Sequence, residues 1–207
     1  MKKAQSEFGP RTTAIHVSDI VPRLWGKRGL EDDGNVHTIF DSGWKRMWNR
    51  LASMGVSYDA ALKHRQAHWD DIVENLKSCE SPIERAILTA LMVADYPGSH
   101  VIPMVVHNPK TDATFPTSEC VLVPQFAFAK YRMDFGLIVR LEDRQLIIDI
   151  ECDGEQFHQN KASDYARDAY LRSWGIEVFR FSGSEIYQNP LACADKVISR
   201  IIEWRGI

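Results

Sequence analysis

Apolar residues recur along this chain at two spacings, first that of a helix and later that of a strand. From His37 onward Phe40, Trp44, Met47, Trp48 and Leu51 return at helical period, and Gly55 closes the run. A second helix is expected from about residue 58 to 76. It carries His64 and His68 one turn apart, but without the Glu of H-E-x-x-H the pair reads as a solvated helix face. Ser81-Pro82-Ile83-Glu84 opens a third helix, with a capping Ser, Pro at the first helical position and Glu three residues after the cap. Ile83, Ile87, Leu88 and Leu91 form its core face.

Past Pro97-Gly98 the period shortens to two, and extended segments are expected at 101–107, 120–128, 131–141 and 145–152. A helix over 162–174 stopped by Gly175, a strand over 176–181 and a last helix over 191–204 follow, with no internal repeat. The order α, several β, α, β, α predicts an α/β fold in which a mixed sheet is flanked by helices. Residues 1–80 are expected to form a basic arm and helical extension, and 81–207 the α/β domain.

Composition narrows the class. The chain has 207 residues, 44% of them hydrophobic and 26% charged, which suits one globular core with an extension. No run reaches the roughly 18 apolar residues of a membrane span. Met1 to Glu7 leads into polar sequence rather than an apolar signal core, so a cytoplasmic protein is the expectation. Cys79, Cys120, Cys152 and Cys193 lie far apart with no C-x-x-C pair, which argues for reduced, mostly buried thiols rather than a zinc site or disulfide framework. A net charge of -3 argues against coating nucleic acid through bulk positive charge. The first thirty residues nevertheless hold Lys2, Lys3, Arg11, Arg23, Lys27 and Arg28 against Glu7 and Asp19. This arm could contact phosphates, or be a frayed terminus.

The chemistry concentrates on two strands. Alternation over 131–139 puts Tyr131, Met133, Phe135, Leu137 and Val139 on one face and Arg132 and Asp134 on the other. In the next strand Leu146, Ile148, Ile150 and Cys152 share one face, and Asp149, Glu151 and Asp153 the opposite one. Acids at every second position of an apolar strand repel one another unless they are paired or bound to a cation. Structural explanations exist for some of them: Asp153-Gly154 is a turn dipeptide, and Asp149 could pair with Arg132 or Arg140. Glu151, deep in the run Leu146-Ile147-Ile148-Asp149-Ile150-Glu151, has no such explanation, which makes a divalent ion the simplest compensation.

Asp134 followed by Glu151-Cys152-Asp153 resembles the D…(D/E)-x-K signature of the restriction-endonuclease-like superfamily. Ile150-Glu151-Cys152-Asp153-Gly154-Glu155-Gln156-Phe157-His158, then Asp164, Arg167-Asp168, Leu171, Gly175 and Phe179-Arg180-Phe181, is similar to the pattern of its DUF559 branch, which is related to the very-short-patch-repair endonucleases. The likeness runs from Ser81 to about Glu185. It implies a restriction-endonuclease-like mixed sheet and a metal-dependent endonuclease, most simply a deoxyribonuclease using Mg²⁺ or Mn²⁺. It implies Asp134 and Glu151 as direct ligands, the Cys152 carbonyl as a backbone ligand, and Glu84 as the acid from the first helix, though Glu84 equally suits a capping box. The superfamily's lysine is replaced by Asp153, which the resemblance sets among the candidate catalytic residues with Asp134, Glu151, His158 and Glu84. His158 stands where the related branch has a histidine that shares this work, and Gln156 or Lys161 are further substitutes.

The nucleic-acid contacts expected are Arg132, Lys161 and Arg167. Arg167 shares a helix face with Asp164, Asp168 and Leu171, and could instead form an Arg-Asp pair that fixes the helix to the sheet. Residues 37–80 are candidates for DNA docking, a homodimer or a protein partner, and no membrane contact is expected. Two other functions stay open at this stage: a non-catalytic nucleic-acid-binding module on the same fold, and a protein-interaction module whose acids are structural.

Overall fold

A computed structural model describes residues 35–94, 104–154 and 161–206, which lie in one compact unit, Gly34–Ile207. Among the described residues three helices precede the sheet: α1 (Val36–Ser53), α2 (Tyr58–Asn75) and, after a short 3-10 turn, α3 (Pro82–Met92). Ser57 caps α2 by accepting from Ala60 N, and Ser81 caps α3 by accepting from Glu84 N, as the sequence at both starts requires. Nine of the eleven α3 residues are buried, which makes it the central helix, and it packs against α1 and the C-terminal helices. Gly43 permits the close approach of α1, because a Cβ there would lie 2.2 Å from the Val93 side chain.

Rings fill the seam between α1 and α2, with Phe40 and Trp69 centred 4.7 Å apart and Trp44 beside His64. The expected solvated face over both histidines holds only for His64, which is exposed. His68 is half-buried, with Nε2 2.8 Å from the Met92 carbonyl at the end of α3. Burial therefore pushes its pKa down.

Five strands form the main sheet in the order β1 (Met104–Val106), β2 (Cys120–Pro124), β5 (Phe135–Leu141), β6 (Arg144–Asp153), β7 (Ile176–Ser182). The outer pairs are parallel and the inner ones antiparallel, so the sheet is mixed as expected. A separate ribbon of β3 (Ala127–Phe128) and β4 (Tyr131–Arg132) lies between β2 and β5 in the chain. Helix α4 (Lys161–Ser173) packs against β7, and α5 (Gly183–Gln188) and α6 (Pro190–Arg205) follow. Helix α5 matches no element expected from the sequence, although its Ser182–Glu185 capping box is a readable signal. Among the described residues no helix is long and apolar enough to cross a membrane.

The segments expected as continuous strands at 120–128 and 131–141 are each broken. Gln125 takes a left-handed backbone (φ 53°), and Met133 and Asp134 fall between β4 and β5. Strict alternation therefore fails at Met133. Met133 packs with Leu171 and Ile176, beside Tyr131, on the α4 side of the sheet. Phe135, Leu137 and Val139 instead stand opposite Ile150, Ile148 and Leu146 and so share the other face.

Gly136, opposite Asp149, makes room for the Phe126 ring, since a Cβ there would sit 2.5 Å from a ring carbon. Phe126 in turn covers Val121, Val123 and Ile138. Gly136→Ala is expected to destabilise the fold by about 1–3 kcal/mol through overpacking. Urea denaturation measures this, and a loss under about 0.5 kcal/mol would mean the ring shifts aside freely.

Candidate active site

The strand registers draw four polar residues into one row across the end of the sheet. β2 and β5 pair Pro124 with Phe135, and Gln125 N extends that ladder by donating to Asp134 O at 2.8 Å. β5 and β6 pair Phe135 with Ile150, which sets Asp134 opposite Glu151. β6 and β7 then pair Glu151 with Arg180. The row Gln125, Asp134, Glu151, Arg180 is thus a consequence of register; from it Glu151 and Arg180 reach Arg167 and Asp168 of α4, and the Gln125 side chain reaches Glu84 at the start of α3.

Asp134 and Glu151 are held closely. Asp134 Oδ2 accepts from Cys152 N at 2.8 Å, and Glu151 Oε1 accepts from Asp134 N at 3.3 Å. The Asp134 carboxyl is pushed up to about 7, first by burial and then by the negative charge of Glu151, with Glu84 adding to it and the Cys152 amide opposing. Cys152 itself is half-buried, and burial holds its thiol protonated.

Asp149 pairs with neither Arg132 nor Arg140. It is fully buried, and its Oδ2 accepts from Arg167 Nη2 at 3.0 Å. The same Nη2 donates to Glu151 Oε1 at 2.5 Å. The two acids therefore share one guanidinium, and burial together with the Glu151 charge pushes the Asp149 pKa up. Arg140 is taken up by the Pro116 and Ser118 carbonyls, and Arg132 forms an exposed, two-pronged pair with Glu80. The helix-to-sheet pairing weighed for Arg167 is observed, with Asp149 on β6 as the partner. Asp168 joins Arg180 instead, at 2.9 and 3.3 Å. Arg180 also reaches Asp153 at 3.1 Å, which ties together β6, β7 and α4.

Glu84 combines the two roles weighed for it. Its Oε1 accepts from Ser81 Oγ (2.7 Å) and its Oε2 from Glu80 N (2.8 Å), as in a helix cap. The same Oε2 accepts from Gln125 Nε2 at 2.9 Å and so connects α3 to the row. Gln125 went unnoticed in the sequence, where it is only the first polar residue after the apolar run Cys120 to Pro124. Its place emerges from register, which a single strand does not reveal. His158 and Gln156 lie outside the described residues, as does the side chain of Lys161.

Among the described residues no three His, Cys, Asp or Glu side chains gather as a metal cage. The donors brought together are the opposed carboxylates of Asp134 and Glu151. Gln125 Oε1, the other end of the amide that bonds Glu84, is buried and has no hydrogen-bond partner among the described residues. A pair of carboxylates suits Mg²⁺, which commonly takes one or two of them and keeps several waters.

Residues 115–201 match the family model REase_MTES_1575, a span that holds Asp134, Glu151, Arg167 and Arg180 and leaves Glu84 outside. No curated protein and no solved structure matches the chain. The family match, together with a mixed sheet flanked by helices, shows that the chain carries a restriction-endonuclease-like domain.

Proposed function

We propose that the protein is a metal-dependent endonuclease that hydrolyses phosphodiester bonds in DNA. The observation that carries this is the opposed Asp134 and Glu151 at the end of the sheet. Asp134 is held there with its carboxyl pushed up to about 7, an arrangement of negative charge that a divalent cation relieves. Asp134 and Glu151 would hold Mg²⁺ or Mn²⁺ directly, with the Cys152 carbonyl as a backbone ligand and Glu84 acting at one remove. Such an ion supplies Lewis acidity and lowers the pKa of a bound water.

The chain's own residues do the rest. Cys152 N fixes the direction of the Asp134 carboxylate, and Arg167 fixes one oxygen of Glu151 and balances its charge. Asp153, in the position of the superfamily's lysine, is engaged by Arg180, so we assign it to supporting the strand ends rather than to the chemistry. Arg132 is assigned to phosphate contact, because its exposed pair with Glu80 costs little to exchange. Lys161 and His158, close to Glu151 in the chain, are assigned to phosphate and acid/base contacts. The setting proposed is the cytoplasm.

Asp153 in place of lysine also favours a second function, nucleic-acid binding without cleavage. One assay separates the two: supercoiled plasmid and single-stranded DNA incubated with Mg²⁺ or Mn²⁺, with and without a chelator. Nicking that needs the ion and stops on chelation is expected. Retardation of DNA in a gel with no cleavage under either ion would select the binding module.

A further inference from the structure

Gln125 is the residue of the row with no role so far. Three independent features single it out. Its backbone is left-handed (φ 53°) at a residue with a side chain, a conformation that L-residues adopt only where their surroundings impose it. Ala129 and Glu142 share this conformation but sit in the tight hairpins after β3 and β5, where the turn itself asks for it. Gln125 lies instead at the bend between β2 and β3, beside Asp134 in the ladder.

The second feature is that its Nε2 donates to Glu84 Oε2 at 2.9 Å, a bond across 41 positions of sequence. The third is that Oε1, the other end of the same amide, is buried without a hydrogen-bond partner among the described residues. A buried acceptor left unsatisfied is costly, and native folds keep few of them outside functional sites.

The chemistry of that atom limits what it can meet. An amide oxygen accepts and cannot donate, so it has nothing to offer a phosphate oxygen. Its partner must bring either a hydrogen or a positive charge. With Asp134 and Glu151 in the same row, a water shared with the carboxylates meets this demand, and buried waters take two to four such polar partners.

We infer that Gln125 is a positioning residue of the site: Nε2 holds Glu84 toward the carboxylate pair, and Oε1 accepts from the water that attacks the phosphodiester. This rests on the endonuclease function proposed above. The amide suits the task better than a carboxylate, since it orients a water without adding negative charge beside Asp134, Glu151 and Glu84. Its two ends also fix its orientation, because Glu84 accepts and selects Nε2, which turns Oε1 away from the helix cap.

Two substitutions test it on the full chain. Gln125→Met keeps the length and removes both polar ends. It should lower the single-turnover rate on plasmid about 10- to 100-fold, as loss of a positioned reactant does, with DNA affinity unchanged. Its thermal midpoint should stay within about 2 °C of the parent or rise, because an unsatisfied buried acceptor has gone. Gln125→Glu keeps an acceptor in place and adds charge, so Mn²⁺ affinity measured by calorimetry without DNA should rise about 3- to 10-fold.

A purely structural Gln125 predicts the reverse for Met, a lower midpoint with a normal rate per folded molecule, and that result overturns the inference. If Gln125→Met does not fold, Gln125→Glu decides: Mn²⁺ affinity equal to the parent's would show that the side chain does not face the site, and a raised affinity supports it. A parent protein that neither cleaves nor binds Mn²⁺ removes the endonuclease function and this inference with it. A parent that does both, matched by Gln125→Met in both, removes the inference alone.

Discussion

Asp134→Asn is expected to abolish cleavage, by at least about 10³-fold, while making the metal-free protein more stable at pH 8. The first effect follows from loss of a charged oxygen donor in the pair with Glu151. The second follows from linkage. The Asp134 carboxyl is raised from an ordinary value near 3.8 to about 7, so the folded protein holds a proton there that the unfolded chain releases. Stability from that proton is fully present below about pH 4 and is lost as pH rises toward about 7. Above that window the wild type carries a charge that burial, Glu151 and Glu84 all oppose, relieved in part by Arg167 and the Cys152 amide. Asparagine carries none and still offers an oxygen to Cys152 N.

The gain should be about 1–3 kcal/mol at pH 8 and should vanish near pH 4, measured by denaturant titration in chelator at both values. Mg²⁺ should then stabilise the wild type and leave the variant unchanged. A variant less stable than wild type at pH 8 would mean that the Asp134 charge is satisfied inside the fold, and the case for a cation beside it would fall.

The acids were legible in the sequence because period-two alternation is a local property. Asp149, Glu151 and Asp153 share a face of β6 whatever lies beyond it, and the helices were legible for the same reason, through Gly55, Ser81 and Gly175. What alternation cannot carry is a change of face within a strand. The break at Met133 and the left-handed Gln125 shift the register, so Met133 went to the α4 side while Phe135 stayed opposite Ile150. Pairings between distant segments were illegible for a further reason. Arg132, Arg140 and Arg167 are equally plausible partners for a buried acid until the fold sets their distances. The sheet order then gave Asp149 the arginine of α4, and Glu84 a glutamine from the end of β2. The family resemblance pointed to the acids and left both of these contacts unmentioned.

Arg167→Met should produce the largest loss of stability in the molecule, about 3–5 kcal/mol at pH 8, the usual cost of stranding a buried charge. The Arg167 side chain is 11% exposed and Asp149 not at all, so water cannot replace the guanidinium on both acids. Methionine fills most of the volume, which confines the effect to charge. Two consequences separate this from simple loss of packing. The deficit should be larger at pH 10 than at pH 8, because Asp149, raised to about 9 first by burial and then by the Glu151 charge, sheds its proton over that range beside Arg167 in the wild type and has no cation to face in the variant. Asp149→Asn placed in the Arg167→Met background should remove that growth with pH, since asparagine cannot ionise. A double-mutant cycle by urea denaturation at pH 8 and pH 10 reads both. Additive losses that do not depend on pH would show that Arg167 acts through its hydrocarbon stem, and that Asp149 and Glu151 do not depend on it for charge.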